Sequence, residues 1–213
     1  LANELVRQGI SVRIVVKNVE RTDKSKALVL WSRTLELFDD AGYASDFLPA
    51  GMPAHGAQIS TGKEIVASVS LDSIDSRFNY ALMIAQSETE RILEQRLAAA
   101  GVTVERRVEL AGFADKGTGV ESTLRKQDGP SETVRADWLV GCDGAHSAVR
   151  HGLGFTFEGS TLESHWALAD GHVVGLAPTD RLHIFWHREG ILAFFPIVGD
   201  RWRVIADLGP ATG

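Results

Sequence analysis

The segment from Trp138 to Arg150 constrains the fold more than any other part of the sequence. Three apolar residues, Trp138 to Val140, precede an Asp143-Gly144 turn, and Ser147 and Arg150 then fall in the first turn of a new helix. A strand, an acidic turn and a helix in this order present backbone amides and one carboxylate at the carboxyl end of the strand, where α/β proteins bind nucleotides. Asp-Gly is also a common turn by itself. The segment alone therefore leaves both a structural turn and a nucleotide site open.

Helices and strands alternate in the first half of the chain. A short helix over residues 1–9 precedes a buried strand at residues 11–16, and a second helix is predicted from an N-cap at Ser32 to Gly42. Ser87 and Glu90 have the spacing of a capping box, which predicts a helix that ends near Gly101. This alternation favours an α/β fold.

Strands dominate the rest of the sequence. Alternating or apolar segments between turn residues predict strands, with a hairpin turn at residues 126–131. Beyond Gly154 the pattern is almost entirely one of short strands, which predicts a second domain. The predicted strands are 57–59, 65–69, 102–108, 119–125, 134–140, 167–169, 182–186, 190–195 and 201–207.

Composition disfavours several classes of protein. Asp and Glu number 28 against 22 Lys and Arg, the net charge is -6, and the basic residues are scattered, so we expect no nucleic-acid partner. The sequence shows no long apolar run and no secretory signal, so we expect no membrane association. The single cysteine, Cys142, predicts a cytoplasmic protein with a buried, inert thiol. The seven histidines follow no metal-ligand spacing, so no metal site is predicted.

Several segments together carry a family resemblance. The strand and Asp143-Gly144 turn, with Ser147 and Arg150 behind them, resemble the second fingerprint of the class A flavin-dependent monooxygenases, the family of p-hydroxybenzoate hydroxylase and of the phenol and polyketide aromatic hydroxylases. Residues 1–9 are similar to the back half of that family's first nucleotide-binding helix. Further similar segments are 25–27, 32–37, Gln86 and 190–196, the last resembling the sheet that lies over the flavin ring.

The resemblance implies an α/β fold in which a Rossmann-like FAD-binding domain is interleaved with a substrate domain built on a mixed β-sheet. Residues 1–70 and 84–153 would belong to the FAD-binding domain, and residues 71–83 and 154–213 to the substrate-domain sheet. The implied function is an oxidoreductase, an FAD-dependent, NAD(P)H-using monooxygenase that hydroxylates a small aromatic substrate with molecular oxygen. Two alternatives stay open: a flavin-free, non-catalytic binding or interaction module of the same fold, and a flavin-dependent dehydrogenase or halogenase.

Four residues are implied to contact the cofactor. Arg33 would bind the FAD phosphates, because a guanidinium can make two hydrogen bonds to a pyrophosphate. Gln86 would bind the ribityl or phosphate region. Asp143, next to Gly144, would accept hydrogen bonds from ribose or ribityl hydroxyls or from an ordered water. Arg150 would brace the turn behind them by pairing with a carboxylate.

No catalytic side chain is predicted, because in such enzymes the cofactor carries the chemistry. Five aromatic residues in the predicted strands are candidates either for an aromatic substrate pocket or for core packing. They are Trp166, Trp186, Phe194, Phe195 and Trp202.

The sequence also departs from the family pattern. A Gly-x-Gly-x-x-Gly turn expected upstream of Leu1 and a Gly-Asp fingerprint expected after Gly213 are not among the 213 residues, so we expect the chain to be a middle section. The acidic residue that binds the adenosine ribose would fall at Val16 or Lys17, and neither is acidic. Glu20 and Asp23 are the nearest acids that follow. These departures predict weak binding of FAD by this chain.

Overall fold

The computed structural model describes residues 1–21, 27–161 and 163–210. The chain divides into two compact units, which we call unit 1 (residues 1–22 and 94–161) and unit 2 (residues 23–93 and 162–213). The described helices are α1 (Ala2–Arg7), α2 (Ser32–Asp40), α3 (Ala44–Phe47), α4 (Gln86–Ala99) and α5 (Ala148–Gly152), with single 3-10 turns at Leu48–Ala50 and Gly144–His146. The division between the units falls within α4, between Leu93 and Glu94.

The described strands run from β1 to β14. They are β1 (Ile14–Val16), β2 (Val29–Leu30), β3 (Met52–Ala54), β4 (Gly56–Thr61), β5 (Glu64–Ser70), β6 (Ala81–Met83), β7 (Val104–Arg106), β8 (Val108–Asp115), β9 (Val120–Lys126), β10 (Glu132–Ala136), β11 (Ser164–His172), β12 (Leu182–His187), β13 (Gly190–Ile197) and β14 (Arg201–Pro210).

Unit 1 combines a parallel strand pair with an antiparallel meander. β1 pairs in parallel with β7, and β8, β9 and β10 form a three-stranded antiparallel sheet. Arg13, just before β1, donates hydrogen bonds of 2.6 and 2.8 Å to Glu105 and of 2.9 and 3.0 Å to Glu132, which joins β7 and β10 to the start of β1. A Cβ at Gly152 would lie 2.5 Å from the ring of Phe113, so only glycine allows α5 to pack this closely on β8.

Unit 2 is built on a mixed sheet. Its strand order is β11-β14-β13-β12-β4-β5, in which β4 pairs in parallel with β12 and every other neighbouring pair is antiparallel. A smaller antiparallel sheet has the order β2-β6-β3. Two clusters of buried residues form the core. One is centred on Leu35, Phe47 and Leu82, and the other on Met83 and Ile197.

The helix starts differ in detail from the sequence predictions. α2 covers the predicted span, but Ser32 is its first helical residue rather than its N-cap, and the N-cap position falls on Trp31, which makes no side-chain capping bond. The predicted capping box is also wrong. α4 begins at Gln86, one residue before Ser87, and Glu90 accepts a hydrogen bond from the Gln86 side chain. The bond between the Gln86 side chain and Glu90 replaces the expected bond from Glu90 to the N-cap amide, which explains why the helix begins one residue earlier.

The predicted strand at 134–140 is too long. β10 ends at Ala136, and the side chains of Trp138 and Val140 are 85% and 57% exposed. No strand in the described residues pairs with this segment, and an extended segment without a partner lacks the interstrand hydrogen bonds that define a strand. Cys142 follows in the same exposed stretch, so the prediction of a buried thiol is wrong.

The compact units do not follow the predicted domain boundaries. Residues 23–70 pack in unit 2, and β4 and β5 belong to the large mixed sheet, whereas residues 1–70 were predicted to lie in the FAD-binding domain. The pairing of β4 with β12 joins segments more than a hundred residues apart, which local sequence patterns do not show. The assignment of each segment to cofactor or substrate binding stays a prediction.

Candidate functional site

The carboxylate of Asp143 organises the turn before α5. Its Oδ1 accepts a hydrogen bond of 2.5 Å from the Ser147 hydroxyl, and its Oδ2 accepts bonds from the amides of Ala148 at 2.6 Å and Val149 at 3.3 Å. The Ser147 hydroxyl in turn accepts a 3.0 Å bond from the Arg150 amide and is the N-cap of α5. Two short polar side chains therefore satisfy the first amides of the helix.

The same contacts keep Asp143 ionised. The hydroxyl of Ser147, followed by the backbone amides, holds the pKa of Asp143 below its usual value. Three donors of the turn bond to this carboxylate, and the backbone amide of Asp143 also stabilises its ionised form. Because the side chain is exposed, a ligand hydroxyl can still reach its oxygens. This is the acceptor that a ribose or ribityl hydroxyl requires.

Gly144 leaves space beside that carboxylate. Its φ is +77°, in the left-handed region that favours glycine. Apart from its two chain neighbours, no heavy atom of the described residues lies within 4 Å of the position that a Cβ would take. A ligand can therefore approach the backbone at this residue, as the resemblance to a nucleotide-binding turn requires.

Arg150 braces the turn, but not through a carboxylate. Its Nη1 donates a 2.9 Å hydrogen bond to the carbonyl of Ala145, and its guanidinium lies 5.0 Å from the centroid of the Phe157 ring. Nη2 lies 2.9 Å from Nε2 of His151. The expected pairing with a carboxylate is therefore replaced by a bond to a backbone oxygen within the turn itself, a partner that side-chain chemistry in the sequence does not reveal.

Arg33 projects from α2 in unit 2. Its side chain is 74% exposed, and Nη1 donates a 2.9 Å bond to Glu36, one helical turn further along. Exposed pairs of this kind contribute about 0 to 1 kcal/mol, so an anionic ligand can displace Glu36. The guanidinium is thus accessible for phosphate binding.

Gln86 is engaged within unit 2 at the start of α4. Its Oε1 accepts a 3.3 Å bond from the amide of Ala27, and its Nε2 donates a 3.0 Å bond to Glu90. The Gln86 amide also donates to the Ala27 carbonyl at 3.1 Å. These bonds tie residue 27 to the helix. Residues 25 and 26 of the similar stretch, and Asp23, lie outside the described residues.

The structure brings only part of the predicted site together. Asp143, Gly144 and Arg150 share one turn in unit 1, whereas Arg33 and Gln86 lie on two different helices of unit 2. The role of Ser147 was missed, although a serine just before a helical segment is a known N-cap signal. β1 ends at Val16, so the residue that closes this strand carries no carboxylate.

The five candidate aromatic residues divide between the two faces of the large sheet. Strand alternation places Trp166, Trp186 and Phe195 on one face and Phe194 and Trp202 on the other. On the second face, Trp202 is 3% exposed and packs edge-on against His183, so it is a core residue. Core packing therefore accounts for Trp202.

The first face is partly uncovered. Phe195 packs against the core cluster at one end of it, but the side chains of Trp166, Leu168 and Trp186 are 49%, 46% and 58% exposed. Ile205 lies opposite Leu168, and Ile184 lies two residues before Trp186 on β12. Asp207 and Ile191 lie between the two tryptophans in register. We call these five residues, Trp166, Leu168, Ile184, Trp186 and Ile205, the apolar sheet face. It is a surface suited to contact with an aromatic ring.

Among the described residues, no group of three or more His, Cys, Asp or Glu side chains is arranged to hold a metal ion. None of the described helices has the length and apolar character needed to span a bilayer.

A parallel strand pair, an Asp-Gly turn capped into a helix and a mixed sheet define an α/β protein of the nucleotide-binding class. The family described as "FAD binding domain" matches residues 1–206. The chain therefore belongs to the FAD-binding domain family, and the predicted FAD-binding α/β fold is confirmed.

Known relatives agree with this assignment. The chain is 34% identical over 209 residues to 6-methylpretetramide 4-monooxygenase of Streptomyces rimosus, covering 96% of this chain and 37% of that protein. It is 28% identical over 217 residues to pentachlorophenol 4-monooxygenase of Sphingobium chlorophenolicum, covering 99% and 40%. The chain thus spans about two fifths of the length of these curated relatives.

Solved structures show the same fold. p-Nitrophenol 4-monooxygenase from Pseudomonas putida DLL-E4 superposes with a TM-score of 0.90 at 19% identity, covering 100% of this chain and 55% of that one. Anhydrotetracycline hydroxylase from Streptomyces rimosus superposes with a TM-score of 0.77 at 27% identity, covering 98% and 42%.

Proposed function

We propose that the chain is part of an FAD-dependent, NAD(P)H-using monooxygenase that hydroxylates a small aromatic substrate with molecular oxygen. The observation that carries this proposal is the Asp143 turn, in which an exposed, ionised carboxylate lies beside an open glycine, within a chain of the FAD-binding domain family. The relatives named as monooxygenases support the same reaction class. The flavin-free interaction module is not favoured, because the turn keeps an exposed carboxylate at Asp143 and open space at Gly144, both of which a ligand can contact.

In this proposal, each predicted residue contacts FAD through the chemistry it displays. Asp143 accepts hydrogen bonds from ligand hydroxyls, and Gly144 allows the ligand to approach the backbone. Arg33 binds phosphate oxygens by exchanging Glu36 for the ligand. Gln86, at the start of α4, contacts the ribityl or phosphate region through its side-chain amide. Bound FAD supplies the redox and oxygen chemistry, which side chains cannot provide.

The apolar sheet face is proposed to hold the aromatic substrate. Trp166 and Trp186 offer ring faces and edges, and Leu168 supplies aliphatic contact next to Trp166 on β11. Aromatic pairs are worth about 0.5 to 1.5 kcal/mol beyond the burial of their area. Contact of the substrate with this face also removes water from the ring. The free thiol of Cys142 fits the proposed cytoplasmic location, because thiols stay reduced there.

The proposal is tested on the full-length protein that contains this segment. We expect it to purify with bound flavin and to oxidise NAD(P)H and consume oxygen when phenolic compounds are added. A colourless protein that neither takes up FAD nor consumes oxygen with any phenol contradicts the proposal.

The substrate surface has its own matched pair of variants. Trp186→Ala removes a half-exposed aromatic residue from the apolar sheet face, and we expect it to raise the KM for the aromatic substrate several-fold with little change in flavin content. Leu208→Ala removes a 64% exposed side chain from the opposite face of the same sheet, and we expect no change in KM. Equal effects of the two variants on KM would contradict the assignment of the substrate to the apolar sheet face.

A further inference from the structure

A carboxylate lies in the row of side chains that crosses the apolar sheet face. Trp166 on β11 lies directly opposite Asp207 on β14, and Trp186 on β12 lies directly opposite Ile191 on β13. Ile191 comes next to Asp207, because it directly precedes Leu192 in the pairing of β13 with β14. Directly opposite residues share a face of the sheet, so Asp207 lies on the same face as both tryptophans. At a spacing of about 4.8 Å between strands, the row is about 14 Å long.

A β-bulge holds this carboxylate in place. Ser164 pairs with Pro210 and Trp166 with Asp207, so β14 carries one residue more than β11 between the two pairs. Gly209 lies in the bulge with φ +70°, a value that favours glycine. Its amide donates a 2.9 Å hydrogen bond to Oδ1 of Asp207. Bulges are found next to functional sites, where they direct a side chain.

Gly190 allows the start of β13 to approach Asp207 closely. A Cβ at Gly190 would lie 2.9 Å from the carbonyl oxygen of Asp207 and 3.3 Å from its Cβ. A larger residue would therefore push β14 away and displace the carboxylate. The backbone thus fixes Asp207 from β13 as well as from its own strand.

Asp207 has no cationic partner in the part of the chain that the structure describes, and its Oδ2 accepts no hydrogen bond there. Asp170, further along the same face, is by contrast paired with Arg203. The Asp207 side chain is half-buried, and carboxylate oxygens accept hydrogen bonds from N–H and O–H groups. The faces of Trp166 and Trp186 attract cations as well. This part of the sheet therefore favours hydrogen-bond donors and cations and disfavours anions.

We propose that Asp207 determines which aromatic substrates the protein accepts. Oδ2 accepts a hydrogen bond from an O–H or N–H group on the substrate ring, and the charge of Asp207 excludes a ring that carries a carboxylate at the same position. In a mostly apolar site, a few well-placed polar groups set orientation and specificity, and an unfavourable charge pair rejects a competing ligand. The inference rests on the proposed function, in which the apolar sheet face holds the substrate.

The inference is tested by equilibrium dialysis of the full-length protein at neutral pH. The probes are naphthalene and three derivatives substituted at one ring carbon, namely naphthol, naphthylmethylamine and naphthoate. We expect naphthol and the ammonium probe each to bind at least tenfold more tightly than naphthoate. A tighter binding of naphthol assigns the position to a neutral hydroxyl, and a tighter binding of the ammonium probe assigns it to a cation. Equal binding of all three derivatives, or preference for naphthoate, would overturn the inference.

Two variants locate the selectivity. Asp207→Asn keeps the size of the side chain and an acceptor for the Gly209 amide but removes the charge. We expect it to weaken binding of the ammonium probe about tenfold, to strengthen binding of naphthoate about tenfold and to leave naphthalene unchanged. Glu64→Gln is the matched control, because it removes the same charge from β5 at the far edge of the same sheet. Unchanged selectivity in Asp207→Asn, or an equal change in the control, would contradict the assignment.

Naphthalene binding by Trp186→Ala and the flavin content separate this inference from the proposed function. Weaker naphthalene binding in Trp186→Ala, with selectivity that does not depend on Asp207, contradicts the inference alone. Equal naphthalene binding in the wild-type protein and Trp186→Ala contradicts the proposed substrate surface and the inference with it. The expected selectivity in a protein that takes up no flavin supports the inference and contradicts the proposed reaction.

Discussion

Asp170→Ala is expected to destabilise the protein by about 2 to 4 kcal/mol, because it removes the carboxylate from a buried guanidinium. Asp170 on β11 and Arg203 on β14 lie directly opposite each other. Nε and Nη2 of Arg203 donate bonds of 2.7 and 2.8 Å to the two carboxylate oxygens of Asp170. The side chain of Arg203 is 4% exposed and that of Asp170 is 34% exposed. Breaking a buried pair by removing one partner costs roughly 3 to 5 kcal/mol. Solvent access to Asp170 lowers the expected figure, since water screens part of the attraction.

The matched control is Glu109→Ala. Glu109 and Arg125 are also directly opposite each other on antiparallel strands and also 2.7 Å apart, but their side chains are 42% and 62% exposed. We expect this variant to lose less than about 1 kcal/mol. The double variant Asp170→Leu with Arg203→Met should recover most of the loss, because apolar residues replace buried ion pairs at little cost.

Urea unfolding at neutral pH measures these differences, and a pH series tests their cause. Arg203 holds the pKa of Asp170 below its ordinary value of 3.8. The stabilisation by Asp170 is therefore complete above its unfolded pKa of about 4 and is lost as the pH falls through the lower folded pKa. The difference between the wild-type protein and Asp170→Ala should shrink in that acidic range. If Asp170→Ala loses no more than Glu109→Ala at neutral pH, the reasoning is wrong.

Two further predictions use paired variants. A Cβ in Gly56→Ala would lie 2.1 Å from the Val69 carbonyl oxygen on the paired strand, so we expect a loss of about 1 to 3 kcal/mol in the free energy of unfolding. In the control Gly171→Ala, the new Cβ meets no described heavy atom within 4 Å beyond its chain neighbours, so stability should change little. Equal melting temperatures of the two variants would refute the expected difference. Arg33→Ala should weaken FAD binding with no change in unfolding, whereas Arg150→Ala, which loses its bond to Ala145, should cost about 1 to 2 kcal/mol in stability and affect FAD less. Flavin titration and denaturant unfolding check the second pair, and the reverse order of the two arginines would contradict it.

Much of the fold follows from local sequence patterns. Apolar periodicity and stop signals predict α2 and α4 close to their observed ends, and alternating apolar residues predict β12, β13 and β14. These elements are predictable because the periodicity of apolar residues that indicates them lies within each segment itself. The strand predicted over Trp138 to Val140 is wrong, because a strand also needs a partner, and pairing is not a local property.

The candidate site shows the same limit. The Asp143-Gly144 turn and the helix behind it are predictable because every bond that holds them lies within seven residues. The cleft lined by Lys17, Arg107 and Arg125 is not, because these residues come from segments that only the fold brings together. The division of the aromatic residues between two sheet faces likewise depends on strand register.

Binding of FAD through the Asp143 turn is the central claim, and a fluorescence titration of FAD tests it most directly in the full-length protein that contains this segment. Asp143→Ala removes the acceptor for ligand hydroxyls, a hydrogen bond worth on the order of 1 to 3 kcal/mol. Ser147→Ala keeps that acceptor but removes the N-cap of α5, so it controls for damage to the turn. We predict that Asp143→Ala weakens FAD binding tenfold or more and Ser147→Ala by clearly less. Unchanged affinity in Asp143→Ala, or an equal loss in both variants, would contradict the claim.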